Sequence, residues 1–428
     1  MTRRVLTRLA PDTVPGMSAL HGRIVAETER AVSVTAGPDA GASLAVHGLG
    51  AFHSVVDAID VGAIREHVLE TLRPELLRLA TAIGRSVMQW GDDFYVDDYL
   101  ILRINYPYEV ALGADPRAEN PGIGRLSPAV RSLAQQRKTT DTTYAPKTYH
   151  HNQPPASWAH GPHIDSWAGH SRDGVNLWWA ITPVPAEAGV VLYPELAERQ
   201  LRCDRRSLYL APGYRLPTPT FVSLAAGEML VFDPEFLHGT RLNTTTSTRV
   251  AVSARLNPRQ PVFDAACFYA REFWHRAENI EAGHFDRVIH LPREHHLAPA
   301  SEVAPEPPDP VPTVRLGVAC SPGPVRVCDR TMLPIGQRLV VEFADRRILM
   351  VNGDLGVRAF DTVCPHVGAD LTDGAVDGET LFCPGHAVAF NLRDGSSPCA
   401  SLALDLWDVT EEGSEWILMV PERSASRS

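Results

Sequence analysis

Apolar residues recur at helical spacing from Val61 to about Ile83, where Ile64, Val68, Leu69, Leu72, Leu76, Leu77 and Leu79 fall on one stripe. Pro74 inside that stripe predicts a kink or a fresh helix start. Tyr99–Tyr106 (YLILRINY) reads as a strand. Short runs with turn residues between them then follow: Val175–Thr182, Gly189–Tyr193, Thr220–Leu224, Glu228–Phe232 and Arg249–Leu256. Regular short strands of this kind predict an all-β barrel or sandwich. Ala265–Ile280 reads as helix. The stretch Ala114–Pro155, polar and rich in Pro and Thr, reads as a long loop or lid. Residues 1–48 show weak periodicity and many small side chains, and are expected to form an N-terminal extension. The Pro-rich run 299–312 (PASEVAPEPPDPVP) marks an extended linker. The pattern therefore divides the chain into an extension (1–48), a β-rich domain (49–298), the linker, a second domain (313–421) and a tail (422–428).

Composition adds exclusions. The chain has 428 residues, long enough for two or three cores, and a formal charge of −11. With no Lys/Arg block, that charge argues against nucleic acid as a partner. No apolar run approaches a membrane span, and the basic N-terminus lacks the apolar core of a secretory signal, so the expectation is a cytoplasmic protein. The cysteines number seven, which does not suggest a secreted disulfide framework; Cys320 and Cys328 could pair, but free thiols are the better expectation.

Two of the cysteines stand in a specific context. Cys364-Pro-His366 is followed, sixteen residues on, by Cys383-Pro-Gly-His386. Two thiolates and two imidazoles, paired one Cys with one His in each loop, are the ligand set of a Rieske [2Fe–2S] cluster, with Cys on one iron and His on the other. Pro365, Pro384, Gly368 and Gly385 suit tight loops. Zinc also takes two Cys and two His, but zinc fingers group Cys with Cys and His with His. The stretch Arg347–Pro398 resembles soluble Rieske ferredoxin domains. Where respiratory Rieske proteins carry an inter-loop disulfide, this chain has Ala369 and Gly385; where they place a Ser and a Tyr near the sulfurs, it has Val388 and Phe390. The resemblance thus implies a low-potential, ferredoxin-like cluster, fed by an external reductase.

A second metal set lies in the β-rich domain. His163-Ile-Asp165 places an imidazole and a carboxylate on one side of an extended segment, and His238 follows beyond the strand series. Two His and one carboxylate on one face of Fe(II) leave positions for a chelating cosubstrate and O2. H-x-D alone is weak: His284-Phe-Asp286 is a second copy, in a charged stretch that reads as solvated surface. The first copy is supported by Arg249, eleven residues after His238, opening the alternating strand RVAVSARL, where Arg249, Ala251, Ser253 and Arg255 share a face. An inward Arg249 suits the distal carboxylate of 2-oxoglutarate. On the strand 175–182, Asn176, Trp178, Ala180 and Thr182 face one way, and Asn176 is the candidate for a hydrogen bond to 2-oxoglutarate, with Ser253 beside it. Both tryptophans serve equally well as core. Asp233 is open between a supporting and a turn role, and His150, His151, His160 and His170 are nearby loop histidines.

Over about residues 50–296 the chain resembles iron(II)/2-oxoglutarate dioxygenases of the phytanoyl-CoA dioxygenase-like class, in their kanamycin B dioxygenase-like branch. The match is closest over GPHIDSWAGHSRDGVNLWWAITPVP and GEMLVFDPEFLHGTRLNTTTSTRVAVSARLNP. The resemblance implies a double-stranded β-helix (jelly roll) with flanking helices, iron on His163, Asp165 and His238, and the cosubstrate carboxylate on Arg249. Asp165 in the carboxylate position points away from halogenation.

The expected function is oxygenation of a small polar natural product, aminoglycoside-, aminocyclitol- or nucleoside-like, in secondary metabolism, with the Rieske domain supplying electrons to the mononuclear iron. Ordinary hydroxylation balances its own electrons, so an attached donor suits either rescue of oxidised iron or a redox-neutral epimerisation. The Rieske non-haem oxygenases are a poorer match, since they place the cluster domain first. A redox sensor on an inactive barrel is disfavoured by the complete ligand set.

Overall fold

The structure is a computed structural model that describes residues 5–118, 153–168, 170–204, 207–264, 274–286, 297–298 and 310–421. The chain divides into two compact units. The first comprises Met1–Tyr209 and Thr220–Ala304; the second comprises Leu210–Pro219 and Pro305–Ser428.

In the first unit the expected N-terminal extension is instead folded. Strand β1 (Leu6–Leu9) is followed by helix α1 (Met17–Thr35) and helix α2 (Pro38–His47). Helix α1 buries Met17, Leu20, Ile24, Thr28, Ala31 and Val32, a stripe at helical spacing. Its Thr and Ala dilute the apolar signal, which explains the weak periodicity. Helix α3 (Val61–Ser86) runs unbroken through Pro74. Leu72, Leu76 and Leu77 on either side of the proline are buried, so tertiary packing outweighs the missing N–H.

The strands follow as β2 (Tyr95–Asp97), β3 (Ile101–Asn105), the short helix α4 (Tyr108–Ala111), β4 (Val175–Ala180) and β5 (Val190–Leu192). A two-residue pair, β6 (Cys203–Asp204) and β7 (Tyr209–Leu210), precedes β8 (Thr220–Val222), β9 (Met229–Phe232), β10 (His238–Thr240) and β11 (Arg249–Asn257). The unit closes with β12 (Phe263–Asp264), β13 (Trp274–Arg276), helix α5 (Ala277–Glu281) and β14 (Leu297–Ala298). The helix expected over Ala265–Ile280 is therefore a strand and a short helix in its described part; the lid's residues 119–152 and the linker's residues 299–309 lie outside the described residues.

One sheet runs β1-β9-β4-β11-β2-β13 with β3 also on β11, and a second runs β10-β5-β8. Strand β4 shows how residue alternation builds the layers. Leu177 and Trp179 pack with the helices, whereas Trp178 and Ala180 pack with Val190, Leu192 and Val222 of the small sheet. The outcome is a nearly closed, barrel-like sheet with a helical layer outside. Among the described residues helix makes up 27% and strand 29%, so the expected β-dominated fold with flanking helices carries nearly as much helix as strand.

The second unit is a small β domain. Its main sheet contains β15 (Thr313–Arg315), β16 (Gly323–Asp329), β17 (Arg338–Glu342), β18 (Arg347–Gly353) and β19 (Gly356–Asp361). It is completed by β23 (Leu406–Glu412) and β24 (Glu415–Val420), in the order β15-β17-β18-β19-β23-β24-β16. A three-stranded sheet, β20 (Ala375–Asp377), β21 (Thr380–Phe382) and β22 (Ala389–Asn391), carries the cluster loops. Within this unit Gly213 N–H donates to Asp373 Oδ2 at 2.7 Å and Leu216 N–H to the Asp373 carbonyl at 2.9 Å. The expected boundary is corrected accordingly, because Leu210–Pro219 belongs to the second unit and not to the β-rich domain. Cys320 and Cys328 are not joined by a disulfide. Among the described residues no helix is long and apolar enough to cross a membrane.

Candidate mononuclear metal centre and cluster loops

His163 and His238, seventy-five positions apart, meet as an isolated antiparallel bridge. The His163 N–H donates to the His238 carbonyl at 2.8 Å and the reverse bond is 3.0 Å. Asp165 N–H is held by the Pro234 carbonyl at 3.0 Å, which places its carboxylate beside the two rings. Asp165 Oδ1 lies 3.4 Å from His163 Nε2 and 3.7 Å from His238 Nε2. The three ligand atoms fall within 4.8 Å of one another, the one such group found among the described residues.

The imidazoles are oriented in the same way. His163 Nδ1 lies 2.8 Å from the Gly161 carbonyl, and His238 Nδ1 lies 2.8 Å from the Phe236 carbonyl. A carbonyl only accepts, so each Nδ1 carries the proton and each Nε2 lone pair points into the shared space. Burial, with His163 close by, pushes His238 down to about 4, which keeps it a neutral ligand. Burial works to raise the Asp165 carboxyl, but the Arg255 guanidinium and then the His163 ring outweigh it, leaving the group well below the usual carboxylate range. Two imidazoles and one ionised carboxylate fit a divalent iron.

Asn176, expected at the cosubstrate, donates from Nδ2 to Asp165 Oδ2 at 2.8 Å. Arg255 Nη2 approaches the same oxygen at 3.4 Å. Ser253 Oγ accepts from Arg103 Nε at 2.9 Å. Arg249 is buried at the opposite end of β11, with Nη1 donating to the Ala188 carbonyl and the guanidinium 6.0 Å from the Trp178 ring. It lines a cavity of about 850 Å³ together with Thr182, Leu224, Glu228 and Thr248; His163, Asp165 and His238 are not in that lining. Burial, with Arg103 nearby, lowers Arg249 to about 9, so it stays charged at neutral pH.

Asp233 is a turn residue whose Oδ1 accepts the Glu235 N–H at 2.8 Å. His160 is 3.2 Å from the Tyr209 hydroxyl, and its ring lies 5.8 Å from that of His163. His150 and His151 lie outside the described residues, and the second H-x-D copy is exposed at His284 and Asp286.

Four neighbours of the centre had no assigned role in the sequence: Arg103, Arg255, Tyr209 and Glu235. Arg103 was signalled by its position inside the largely apolar YLILRINY, and Arg255 by the alternation of RVAVSARL. Tyr209 packs 5.8 Å from the His163 ring, and Glu235 is pushed up to about 7 by burial; neither sits in a pattern that announces it.

In the second unit, Cys364, His366, Cys383 and His386 are all buried. The two loops have equivalent closures: Gly368 N–H donates to the Cys364 carbonyl at 2.9 Å and Ala387 N–H to the Cys383 carbonyl at 3.0 Å. Gly368 has φ 76° and Ala387 φ 51°, the left-handed turn that each closure needs. Gly385 N–H approaches Cys383 Sγ at 3.4 Å. The His366 and His386 rings stand 5.0 Å apart at 75°. Burial pushes His366 down to about 4, so it is neutral, and the hydrogen bond from Cys364 lowers Cys383. Two free thiols and two imidazoles in matched loops fit a [2Fe–2S] cluster. Val388 and Phe390 are wholly buried.

Comparison with known proteins finds a family match over the region of each site. The family described as phytanoyl-CoA dioxygenase (PhyH) matches residues 107–251, a span containing His163, Asp165, His238 and Arg249. The family described as Rieske [2Fe-2S] domain matches residues 323–401, which contain all four cluster ligands. The ferredoxin component of naphthalene 1,2-dioxygenase/salicylate 5-hydroxylase systems from a Ralstonia species is 27% identical over 74 residues, covering 17% of this chain and 71% of that protein. Among solved structures, the ferredoxin of carbazole 1,9a-dioxygenase from Nocardioides aromaticivorans IC177 is 30% identical, covering 23% of this chain and 99% of that one, with a TM-score of 0.21. A ferredoxin from Sphingomonas yanoikuyae B1 is 28% identical, covering 23% and 98%, also with a TM-score of 0.21.

Proposed function

For a chain that belongs to the phytanoyl-CoA dioxygenase family over residues 107–251 and to the Rieske family over residues 323–401, we propose an iron(II)/2-oxoglutarate-dependent oxygenase with its own electron-supplying domain. The observation that carries this reading is the convergence of His163 Nε2, His238 Nε2 and Asp165 Oδ1 in one buried space, with both Nδ1 atoms tied to carbonyls. When bound, the mononuclear iron would supply oxygen activation and the cluster one-electron transfer.

The chain's own residues do the rest. His163, Asp165 and His238 would hold the iron on one face. Asn176 and Arg255 occupy Asp165 Oδ2, which leaves Oδ1 facing the two imidazoles. Arg249, on the same face of β11 as Ser253 and Arg255, is the proposed partner of the 2-oxoglutarate distal carboxylate, in a barrel of the double-stranded β-helix type. Cys364, Cys383, His366 and His386 would hold the cluster, and their burial keeps water from it. An external reductase would feed that cluster, in a cytoplasmic setting. The substrate is a small polar molecule of secondary metabolism; among the expected classes, a cationic aminoglycoside fits an arginine-lined interior least.

Succinate release from 2-oxoglutarate by the anaerobically iron-loaded full chain tests the reading. His163→Ala and His238→Ala should abolish it while the cluster's absorption spectrum is unchanged. Full succinate release by either variant would refute the assignment.

A further inference from the structure

The barrel interior holds more positive charge than an iron and one cosubstrate require. On β11, Arg249, Ala251, Ser253 and Arg255 face the same side, and β3 runs alongside with Arg103 opposite Ala251. Arg103 reaches along the strand and donates from Nε to Ser253 Oγ at 2.9 Å. Ser253 is two residues from Arg255, so Arg103 and Arg255 flank one serine hydroxyl close to Asp165. Arg255 is about nine-tenths buried; its Nη2 is 3.4 Å from Asp165 Oδ2, while its Nε and Nη1 are buried with no hydrogen-bond partner. A buried guanidinium with two unused donors is costly unless something accepts from them.

Charge counting gives the sign of what is missing. Against Arg103, Arg249 and Arg255, the facing carboxylates among the described residues are Asp165 and, nearby, Glu235, which burial pushes up to about 7. Ferrous iron adds two positive charges and 2-oxoglutarate two negative ones, which cancel. Among the described residues the remaining excess is positive, and it lies at the Asp165 end of β11, next to the metal ligands and away from Arg249.

Resting on the oxygenase reading above, we propose that the substrate carries an anionic group, a carboxylate or a phosphate, held by Arg255 and Arg103 beside the iron. Their planar forks suit either oxyanion, and gripping it there would place the neighbouring carbon of the substrate over the metal. Arg249 would remain with the cosubstrate. A polycationic substrate would instead meet three guanidiniums.

The test uses the full chain with Mn(II) in the mononuclear site, kept anaerobic and saturated with 2-oxoglutarate, so that Arg249 is covered. Inorganic phosphate and benzoate are titrated calorimetrically, in separate arms that distinguish the two oxyanions. At least one should bind, and Arg103→Leu and Arg255→Lys should each weaken it about tenfold or more, with manganese content unchanged by electron-spin resonance. Arg103→Leu does not touch Asp165, so it decides the matter if Arg255→Lys loses metal. The proposal is overturned if neither anion binds, if the variants leave anion binding unaltered, or if they weaken 2-oxoglutarate instead. The oxygenase reading fails separately, if 2-oxoglutarate does not bind the manganese form or Arg249→Leu leaves its affinity unaltered.

Discussion

Asn176 Nδ2 donates to Asp165 Oδ2 at 2.8 Å, and this bond helps select which carboxylate oxygen faces the two imidazoles. The amide comes from β4, whose alternation aims it inward, and Asp165 comes from a short turn of 3-10 helix. The bond therefore orients the acidic ligand from outside the ligand set. Such outer contacts typically matter at the level of 10–100-fold in metal affinity. Asn176→Leu should weaken Co(II) or Mn(II) binding by about that factor. The measurement is a metal titration of the full chain, and unchanged affinity would show that Arg255 alone suffices to orient Asp165.

Gly239 separates His238 from Thr240 where the strand passes close to the His160–Gly161 backbone. A Cβ there would lie 2.8 Å from the His160 carbonyl oxygen and 3.3 Å from the Gly161 carbonyl carbon. Backbone cannot move aside as a side-chain tip can, so Gly239→Ala must push β10 away from the His163 bridge. The substitution adds only a methyl group, yet it should cost the mononuclear metal, with the cluster spectrum retained. Metal analysis and the visible spectrum of one sample check both halves.

Glu235 supplies a pH signature. Burial raises its carboxyl to about 7 from an unfolded value near 4.5. Folding therefore favours the protonated form. Its stabilising contribution is complete below the unfolded pKa and is lost as pH rises from about 4.5 through about 7. Glu235→Gln mimics the protonated group and removes that loss. The variant should match the wild type at pH 4.5 and exceed it at pH 8 by on the order of 2–3 kcal/mol. Urea unfolding followed by tryptophan fluorescence at the two pH values is the measurement; equal stability at pH 8 would mean that the carboxyl ionises normally.

Much of this organisation was legible before the structure, and the exceptions have physical causes. Strands β4, β9 and β11 carry strict alternation or continuous burial, so their positions could be read to within a residue or two. The cluster ligands were legible because each Cys–His pair lies within one loop. The grouping of His163, Asp165 and His238 was expected from H-x-D, the later His238 and the family resemblance; only the direct strand bridge between His163 and His238 was not, since it depends on sheet pairing between distant segments. Helices α1 and α2 were hidden because their buried faces include Thr28, Ala31 and Gly41, which carry little apolar signal. Gly41 is small for a packing reason, as a Cβ there would overlap Ser33 Oγ on α1. The place of Leu210–Pro219 in the second unit rests on bonds to Asp373 that no periodicity encodes.

The purpose of the fusion can be tested at Cys383. Its thiol is almost wholly buried, and the loop around it is closed by backbone bonds of Ala387 to the Cys383 carbonyl and of Cys383 to the Val388 carbonyl, so a Cys383→Ser change removes a cluster ligand with little change of volume. The resemblance to Rieske proteins implies that Val388 and Phe390 stand where hydrogen-bond donors would raise the cluster potential, and both are fully buried and apolar. A cluster of low potential is a competent donor to oxidised iron. If it serves to rescue that iron, Cys383→Ser should begin at the wild-type rate and stop within a few turnovers, and ascorbate should restore turnover. If electrons are needed in every cycle, the variant should consume 2-oxoglutarate with almost no product from the first turnover onward. Succinate and product are counted per enzyme, with and without ascorbate, in full-length protein whose mononuclear metal content has been matched to wild type. Undiminished turnover without any reductant would mean that the cluster does not supply the oxygenase iron, and electron donation would have to be abandoned.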